Sequence, residues 1–518
     1  MSVRRLLVAL LVVLSLPALS NGISAERPAA SRDSDRDSLM EVRVAARLIP
    51  ARDPWQRDHL ERGSSVGLYL GDGQILSLDP SAGRAVSVTA RTGSQMELSV
   101  KRRLFDSALG LVALQLDEAD VERWSSSTRT TIADSFVYGN AGRPLRLISL
   151  NRNGEFDSYA VTYEGVATAT ALVSGFVYPA LRFSGWAPDV RAGDVLFENQ
   201  KVIGIVAGFN AETRSGLAIP ASLLRVFLER SRTEPDSSVS RIEVSEANGT
   251  ESRPVRTILR HPGLQLEELS TVAVRDYYGL ASDRQGVLVT EVLPWNGADV
   301  GVRPGDVIVA VEGRPVRPDL SVADPELGLL SVRLALSSLR GVPRGSGSIA
   351  LSVVRGRIRQ DVQYRPGLYS PDYLTIPALH AEQPYLIVGG LVFVELSFSY
   401  ATAVGADLPP RLAYLLEQGA VTERPEGRRY VVLDRVLPLD YNRGVEAHHE
   451  LVEGFAGVAV MNLRHLRELI LRRVQAGEDL AFQLEGGRLV VLGRRGLEAA
   501  DDEVRARHGI PYLSAGLD

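Results

Sequence analysis

The segment Gly301–Ile308, with the sequence GVRPGDVI, lies in the part of the chain that decides its fold class. Its glycine and proline residues are a turn signal, and an apolar run typical of a strand follows directly. Similar runs flank it, and one stretch has apolar residues at helical spacing. The predicted strands cover 286–292, 306–312 and 348–355, and the predicted helix covers 329–339. These elements indicate an α+β domain, which we place at residues 255–368.

A second domain of similar composition follows at residues 373–518. Its predicted strands cover 386–396, 430–437 and 488–492, and its predicted helix covers 463–474. Both domains have the order strand, glycine-containing turn, strand, helix, strand. We therefore interpret them as two divergent copies of one domain type.

The N-terminal part of the chain, residues 39–230, has short apolar runs separated by Gly, Asp and Asn. Short strands at close spacing predict a β-sandwich or β-barrel, and apolar residues at helical spacing predict a closing helix over 221–230. Residues 231–254 are rich in Ser, Glu, Arg and Asn and are predicted to be a linker. The sequence thus predicts a multidomain, mainly β protein.

The N-terminus predicts export. Arg4 and Arg5 precede an apolar run over 6–19 that is short for a membrane-spanning helix, which is typical of a signal peptide over 1–25. An uncleaved signal anchor is the alternative, and no later segment predicts a membrane span. Residues 26–38 are charged and small, and are predicted to be a disordered lead-in.

Composition excludes several classes of function. The chain has 518 residues, a net charge of −5 and no cysteine, which excludes disulfides, thiol catalysis and thiolate metal sites. It has no basic stripe that would indicate nucleic-acid binding. No phosphate loop or dinucleotide motif is present, so no cofactor is expected. The run His448-His449-Glu450 is predicted to be a solvated helix face without metal, because adjacent helical residues point in different directions.

The domain at 255–368 resembles bacterial and organellar PDZ domains. The resemblance rests on GVRPGDVI, on Gly286–Val289 before it and on Glu312-Gly313 after it. Residues Tyr277, Tyr278, Gly279 and Leu280 resemble the loop that receives a peptide carboxylate in HtrA PDZ domains. This implies that backbone N–H groups around Gly279 bind a C-terminal carboxylate, while the peptide adds to a sheet edge as a strand. The alternative is an ordinary turn in a domain that binds nothing.

Residues 60–230 resemble the trypsin-like domain of HtrA proteases, in the order of their strands and in Val202–Ile205 and Gly216–Pro220 before the closing helix. The resemblance implies a double β-barrel. The C-terminal domain resembles the PDZ-like domain of plant-type Deg proteases, chiefly over 385–396 and 457–466. In that family this domain is associated with subunit assembly.

The resemblance also assigns the catalytic triad positions, and none holds the required residue. Pro80 stands at the His position, Gly110 at the Asp position and Ala192 at the Ser position. None of the seven histidines lies between residues 60 and 260. Asp194 stands where a glycine shapes the oxyanion hole, and it is expected to oppose a developing oxyanion. Asp106, near Gly110, is expected to be a solvated turn residue.

We therefore predict an exported, non-catalytic HtrA/Deg-like protein that binds extended or C-terminal peptides of envelope proteins through its PDZ domain. Its expected partners are such peptides, an active protease paralogue and further copies of itself. One alternative is an active serine endopeptidase with a displaced site. Its candidate nucleophiles are Ser174, Ser184 and Ser215. The other alternative is a structural envelope protein with an empty PDZ groove.

Overall fold

The computed structural model of the chain describes residues 36–47, 50, 52–56, 60–106, 108–124, 129–136, 138–171, 176–233, 258–260, 262–280, 285–293, 301–325, 327–337, 348–366, 383–419 and 428–517. The predicted signal peptide and most of the predicted lead-in and linker lie outside these residues. The end of the lead-in is ordered, because Arg36–Ser38 form a 3-10 turn. Ser38 is buried and accepts a hydrogen bond from Thr130 Oγ1 at 2.9 Å.

Six strands close into a first barrel in the order β1-β2-β3-β6-β5-β4. Inward-facing residues alternate along β1, where Met40, Val42 and Val44 are buried in one core, as a strand with one buried face requires. The elements are β1 Leu39–Arg47, β2 Leu60–Gly71, β3 Gln74–Leu78, β4 Ala85–Thr92, β5 Glu97–Asp106 and β6 Leu111–Leu116, followed by helix α1 Glu118–Arg123.

A second barrel follows, because the sheet β11-β8-β9-β10-β13-β12-β7 also pairs β11 with β12. Its strands are β7 Thr131–Ile132, β8 Pro144–Leu150, β9 Phe156–Thr170, β10 Val177–Ser184, β11 Val195–Glu198, β12 Lys201–Asn210 and β13 Ser215–Pro220. Helix α2, Ala221–Thr233, closes the unit. It includes the first residues of the predicted linker, where buried Ser231 donates to Leu228 O at 2.7 Å. The predicted double barrel is confirmed.

The third unit is a sheet of order β14-β15-β16-β20-β21, with β17 paired to β16 and a separate β18–β19 hairpin. Its elements are β14 Leu264–Glu268, α3 Val272–Tyr277, β15 Val287–Val292, β16 Val307–Val311, β17 Arg314–Pro315, β18 Ser321–Asp324, β19 Gly328–Ser331, α4 Val332–Ala335, β20 Ile349–Arg355 and β21 Ile358–Tyr364. The helix predicted over 329–339 is therefore shorter than expected. Its first residues pair with β18, and Ser331 then caps α4 by accepting from Leu334 N.

The aspartate of the GVRPGDVI segment has a structural role in this unit. Asp306 is buried and accepts hydrogen bonds from Arg303 N at 2.8 Å and from Arg355 Nε at 2.7 Å. Arg355 Nη2 donates to its second carboxylate oxygen at 2.8 Å. A two-pronged guanidinium contact matches a carboxylate well, so this pair fixes the turn before β16 to strand β20.

The C-terminal unit has a sheet of order β28-β27-β25-β24-β23-β22-β29, with β26 paired to β25. Its elements are β22 Tyr385–Val388, β23 Leu391–Glu395, α5 Phe398–Val404, α6 Pro410–Gly419, β24 Val431–Val436, β25 Glu450–Phe455, β26 Val458–Ala459, α7 Leu463–Ala476, β27 Leu480–Leu484, β28 Leu489–Leu492, α8 Leu497–His508 and β29 Ser514–Ala515. The single strand predicted over 386–396 is a hairpin. Its turn residues Gly389 and Gly390 have φ values of 55° and 84°, which favour glycine.

The PDZ-type sheet unit is docked on the second barrel. Leu330 of β19 and Leu334 of α4 are buried against Val177 of β10. Beside them Thr168 Oγ1 donates to Ser331 Oγ at 3.2 Å. Within the described parts of the chain, no helix has both the length and the apolar character needed to cross a bilayer.

Candidate functional site

Two of the assigned triad positions lie side by side at the ends of paired strands. Strand β3 pairs with β6, with Leu78 opposite Leu111. Beyond this pair, Asp79 N donates to Gly110 O at 2.9 Å. Pro80 follows Asp79 directly, so Pro80 and Gly110 occupy adjoining loop ends between the barrels.

The third assigned position, Ala192, is on the loop before β11, and this loop reaches the same strand end. A Cβ atom on the neighbouring Gly193 would lie 3.1 Å from Leu78 O and 3.0 Å from Ser65 Cβ. Gly193 also has a φ of 97°, so the close approach of this loop requires glycine. The structure therefore brings together the loops that carry all three assigned positions.

None of the three side chains can transfer a proton or attack a carbonyl carbon. Pro80 begins a 3-10 turn that Asp79 caps, its Oδ1 accepting from Ser81 N at 2.8 Å and from Ser81 Oγ at 2.6 Å. Gly110 has no side chain, and Ala192 has only a methyl group. Acyl transfer by a triad needs a nucleophile, a base and a group that orients the base, and the three assigned positions supply none of them.

Asp194, which was expected to oppose a developing oxyanion, has a buried side chain that is bound by backbone N–H groups. Its side chain is 1% exposed and accepts hydrogen bonds from Leu150 N at 3.3 Å and from Arg191 N at 2.9 Å. Arg191 Nη2 in turn donates to Leu150 O at 2.6 Å. Burial raises the pKa of Asp194 to about 6, although these hydrogen bonds lower it. Asp194 thus ties the loop before β11 to the end of β8.

Asp106 is buried, and the prediction that it is a solvated turn residue was wrong. It is 1% exposed, and its Oδ1 accepts from Ala108 N at 3.1 Å and from Leu109 N at 2.9 Å. Its Oδ2 accepts from Ile258 N at 2.7 Å, across 152 positions of sequence. The short-range bonds are those an aspartate makes in a turn. The long-range bond fastens the start of the PDZ-type unit to the first barrel.

The predicted carboxylate-binding loop, Tyr277–Leu280, has no free backbone donors at the positions where they were expected. Tyr278 N donates to Val274 O at 3.2 Å, and Gly279 N to Asp276 O at 3.0 Å. Leu280 N donates to Arg275 O at 2.9 Å, and the Leu280 side chain is buried. These residues end helix α3, and their N–H groups donate to carbonyl groups of that helix. The structure therefore does not support carboxylate binding by this loop.

The edge of the same sheet offers a different place for an extended peptide. Among the described strands, β14 pairs with β15 alone. Leu264 of β14 packs in one core with Val332 and Leu336 from the segment of α4. A strand added antiparallel to β14 would therefore run between β14 and α4, and its C-terminus would lie beside Gly263.

An arginine precedes that end of β14 in the chain. Arg260 is half-buried three residues before Gly263, and burial lowers its pKa, helped by the nearby charge of Arg230. Gly263 has a φ of 60°, which turns the chain into the strand. The sequence signal for this place was Pro262-Gly263 before a run of alternating apolar and polar residues, Leu264–Glu268.

The predicted solvated helix face at His448–Glu450 is also wrong. His449 is in a turn with a φ of 56°, and its N–H donates to Asp434 O at 3.0 Å. Its Nδ1 lies 2.6 Å from the Tyr400 hydroxyl and 3.1 Å from Asp434 Oδ1. The described residues contain no group of three His, Cys, Asp or Glu side chains that could hold a metal ion.

Comparisons with known proteins identify similar chains. A family model described as "PDZ domain" matches residues 377–514. The Arabidopsis thaliana protein named "Putative protease Do-like 12, mitochondrial" is 22% identical over 493 residues, covering 92% of this chain and 85% of that protein. "Putative protease Do-like 3, mitochondrial", from the same plant, is 21% identical over 518 residues, covering 96% and 85%. The solved structure "HtrA-type protease AlgW with decapeptide" aligns with a TM-score of 0.45 and 14% identity, covering 66% of this chain and 100% of that one.

Proposed function

Because this chain belongs to the HtrA/Deg family of trypsin-like proteins with PDZ domains, we propose that it is a non-catalytic member that binds peptides. One observation carries the proposal. The three loops that would hold a triad meet between the barrels, and they hold Pro80, Gly110 and Ala192 there. A trypsin-like site without a base and a nucleophile retains a scaffold and loses the reaction.

The peptide site of the proposal is the edge of β14 that no described strand pairs with. An extended peptide that adds to a sheet edge gains main-chain hydrogen bonds, and pockets beside it select side chains. Arg260, which precedes Gly263 by three residues in the chain, is the cation that we assign to the free carboxylate of an antiparallel peptide. The bound peptides would be extended or C-terminal segments of exported proteins, in a role in protein quality control or in regulating an active protease.

The observations favour this proposal over an active protease with a displaced serine. Ser184 Oγ donates to the carboxylate of Glu164, and Ser215 Oγ lies 2.7 Å from Thr213 Oγ1. Ser174 lies outside the described residues. No histidine in the described barrels can activate any of them. Export, assembly with further copies and pairing with a protease paralogue remain parts of the same proposal.

Catalysis is tested with the purified mature chain and unfolded casein, together with a serine-directed phosphonate label. We expect neither cleavage nor labelling. The Ala192→Ser variant should behave the same way, because a serine without a histidine base is weakly nucleophilic. Cleavage that survives repurification would contradict the proposal, and the labelled serine would then locate the displaced site.

Peptide binding is tested with a library of displayed C-terminal peptides, followed by fluorescence polarisation of the selected peptide. We expect the free acid to bind about tenfold or more tightly than its C-terminal amide, since a charge-assisted hydrogen bond is worth about 1.5–3 kcal/mol. Arg260→Gln should remove this preference. Arg359→Gln, on the opposite edge strand β21, is the matched control and should keep it. A library without binders, or equal loss in both variants, would overturn the site.

A further inference from the structure

The connection between β1 and β2 contains a turn that leaves the first barrel and contacts the C-terminal unit. Gln56 N donates to Asp53 O at 2.8 Å, which closes a turn with Pro54 in its second position. Asp and Pro are favoured at these two turn positions because Pro presets the backbone. Pro54 is buried and Trp55 is half-buried. We name residues 52–56 the strap.

The strap contacts Tyr385 and Arg435 of the C-terminal unit. The Trp55 ring packs edge-on against the Tyr385 ring, with 5.8 Å between the centroids and an interplanar angle of 70°. The guanidinium carbon of Arg435 lies 5.1 Å from the centroid of the Trp55 ring. Arg435 Nη2 also donates to Arg52 O and to the Asp53 carboxylate. One arginine thus binds a backbone carbonyl, a carboxylate and an aromatic face.

A buried polar cluster holds Arg435 in place. Asp434 is completely buried, and its Oδ2 lies 3.5 Å from Arg435 Nε. Its Oδ1 accepts from the Tyr400 hydroxyl at 2.7 Å, with His449 Nδ1 at 3.1 Å. Burial and Asp434 raise the pKa of Tyr400, and burial lowers the pKa of His449 although Asp434 raises it. Both partners therefore stay neutral at pH 7.

This arrangement explains why Arg435 is directed towards the strap. A fully buried carboxylate needs a positive partner, because an unpaired charge in the interior is strongly destabilising. Asp434 lies within ion-pair distance of the Nε side of the guanidinium, and the Nη2 side donates to the strap. The planar fork of an arginine loses little freedom when it binds, so Arg435 can bind the strap at a low entropic cost. We define the seat as Arg435 and Tyr385.

We propose that the seat is a binding site for an Asp-Pro-Trp turn, and that the strap is its internal ligand, which latches the C-terminal domain to the first barrel. The ligand chemistry is an acidic side chain followed by proline and a large aromatic ring. This site is separate from the β14 edge and from the triad positions. Its occupant in the resting chain is the strap of the same molecule.

The latch is tested with Trp55→Ala in the full mature chain. This substitution removes the aromatic ring that packs on Tyr385 and Arg435. We expect small-angle scattering to show a larger radius of gyration, because the C-terminal domain is no longer held on the barrel. Trp186→Ala is the matched control, since Trp186 is an exposed tryptophan of the second barrel. It should leave the radius unchanged.

The seat is tested with a fluorescein-labelled, C-terminally amidated peptide of residues 50–56. We expect it to bind Trp55→Ala about tenfold or more tightly than the unaltered chain, where the tethered strap competes at a millimolar effective concentration. The same peptide with Asp53→Asn and Trp55→Ala should not bind. In a Trp55→Ala chain, Arg435→Lys should weaken binding, because lysine keeps the charge beside Asp434 but lacks the fork.

Three results would overturn the latch. They are an unchanged radius in Trp55→Ala, equal peptide binding to the two chains, and binding of the doubly altered peptide. If the strap peptide does not bind the seat, the proposed peptide binding at the β14 edge is unaffected. Binding at that edge is measured separately with Arg260→Gln.

Discussion

Acid should stabilise the second barrel through Asp194. Burial raises the pKa of this carboxyl from 3.8 to about 6, although the Arg191 and Leu150 backbone and the Ser149 hydroxyl lower it. Between these two values the folded state binds more protons than the unfolded chain. The stabilising contribution is therefore fully present below pH 3.8 and is lost as the pH rises through about 6.

The size of the effect follows from the two pKa values. A difference between 3.8 and about 6 corresponds to about 3 kcal/mol of unfolding free energy. Between pH 4.5 and pH 7, this contribution of Asp194 to the unfolding free energy falls by about 2 kcal/mol. Asp194→Ala removes the titrating group and, at every pH, also removes the acceptor for Arg191 N and Leu150 N. The stability advantage of the unaltered chain over this variant should therefore shrink by about 2 kcal/mol over this range.

Hydrogen-exchange mass spectrometry measures this advantage locally. Peptides that cover β8 and β11 report the opening free energy of the second barrel at each pH, after correction for intrinsic exchange rates. Asp189→Ala, which removes an exposed carboxylate of the same loop, is the control and should leave the pH dependence unchanged. An advantage that stays constant or grows as the pH rises would refute the reasoning about Asp194.

Two further predictions concern how the domains are attached. Asp106→Ala leaves three backbone N–H groups without their acceptor, at about 1–3 kcal/mol each. It should lower the denaturation midpoint of the first barrel and speed proteolytic release of the PDZ-type unit, whereas Asp117→Ala, whose side chain caps no helix N–H, should do neither. Leu334→Asp puts an unpaired carboxylate against Leu330 and Val177, so deuterium uptake in β10 should rise. Unchanged uptake would show that this contact does not hold the PDZ-type unit on the second barrel.

The fold was predictable because its signals are local. The turn and strand of GVRPGDVI, and the alternating apolar residues of β1, depend on neighbouring residues in the chain. The hairpin at Gly389-Gly390 was missed because the apolar run continues across the turn, although two consecutive glycines were a usable signal. The α4 helix was overestimated because its apolar residues also fit a strand that pairs with β18.

The site was predictable only in part. The family resemblance assigned Pro80, Gly110 and Ala192 to the triad positions, but the sequence could not show that Gly193 packs against Leu78. The prediction of a carboxylate-binding loop at Tyr277–Leu280 missed the end of a helix, because a glycine between apolar residues fits both structures. Only the hydrogen bonds of its N–H groups distinguish the two. The contact of Arg435 with the strap joins residues that are 382 positions apart, and no local pattern reports such a pair.

Buried carboxylates explain how a trypsin-like frame can be maintained independently of the residues at the assigned triad positions. Asp106 and Asp194 fix the loops beside the triad positions through backbone N–H groups, and neither bond uses a triad side chain. The residues at the assigned triad positions, Pro80, Gly110 and Ala192, can therefore differ from a catalytic set while these loop contacts stay in place. The residues that shape the loops and those that would carry the chemistry are separate sets in this chain. Under the proposed function, selection on peptide binding would maintain the first set after the second is gone.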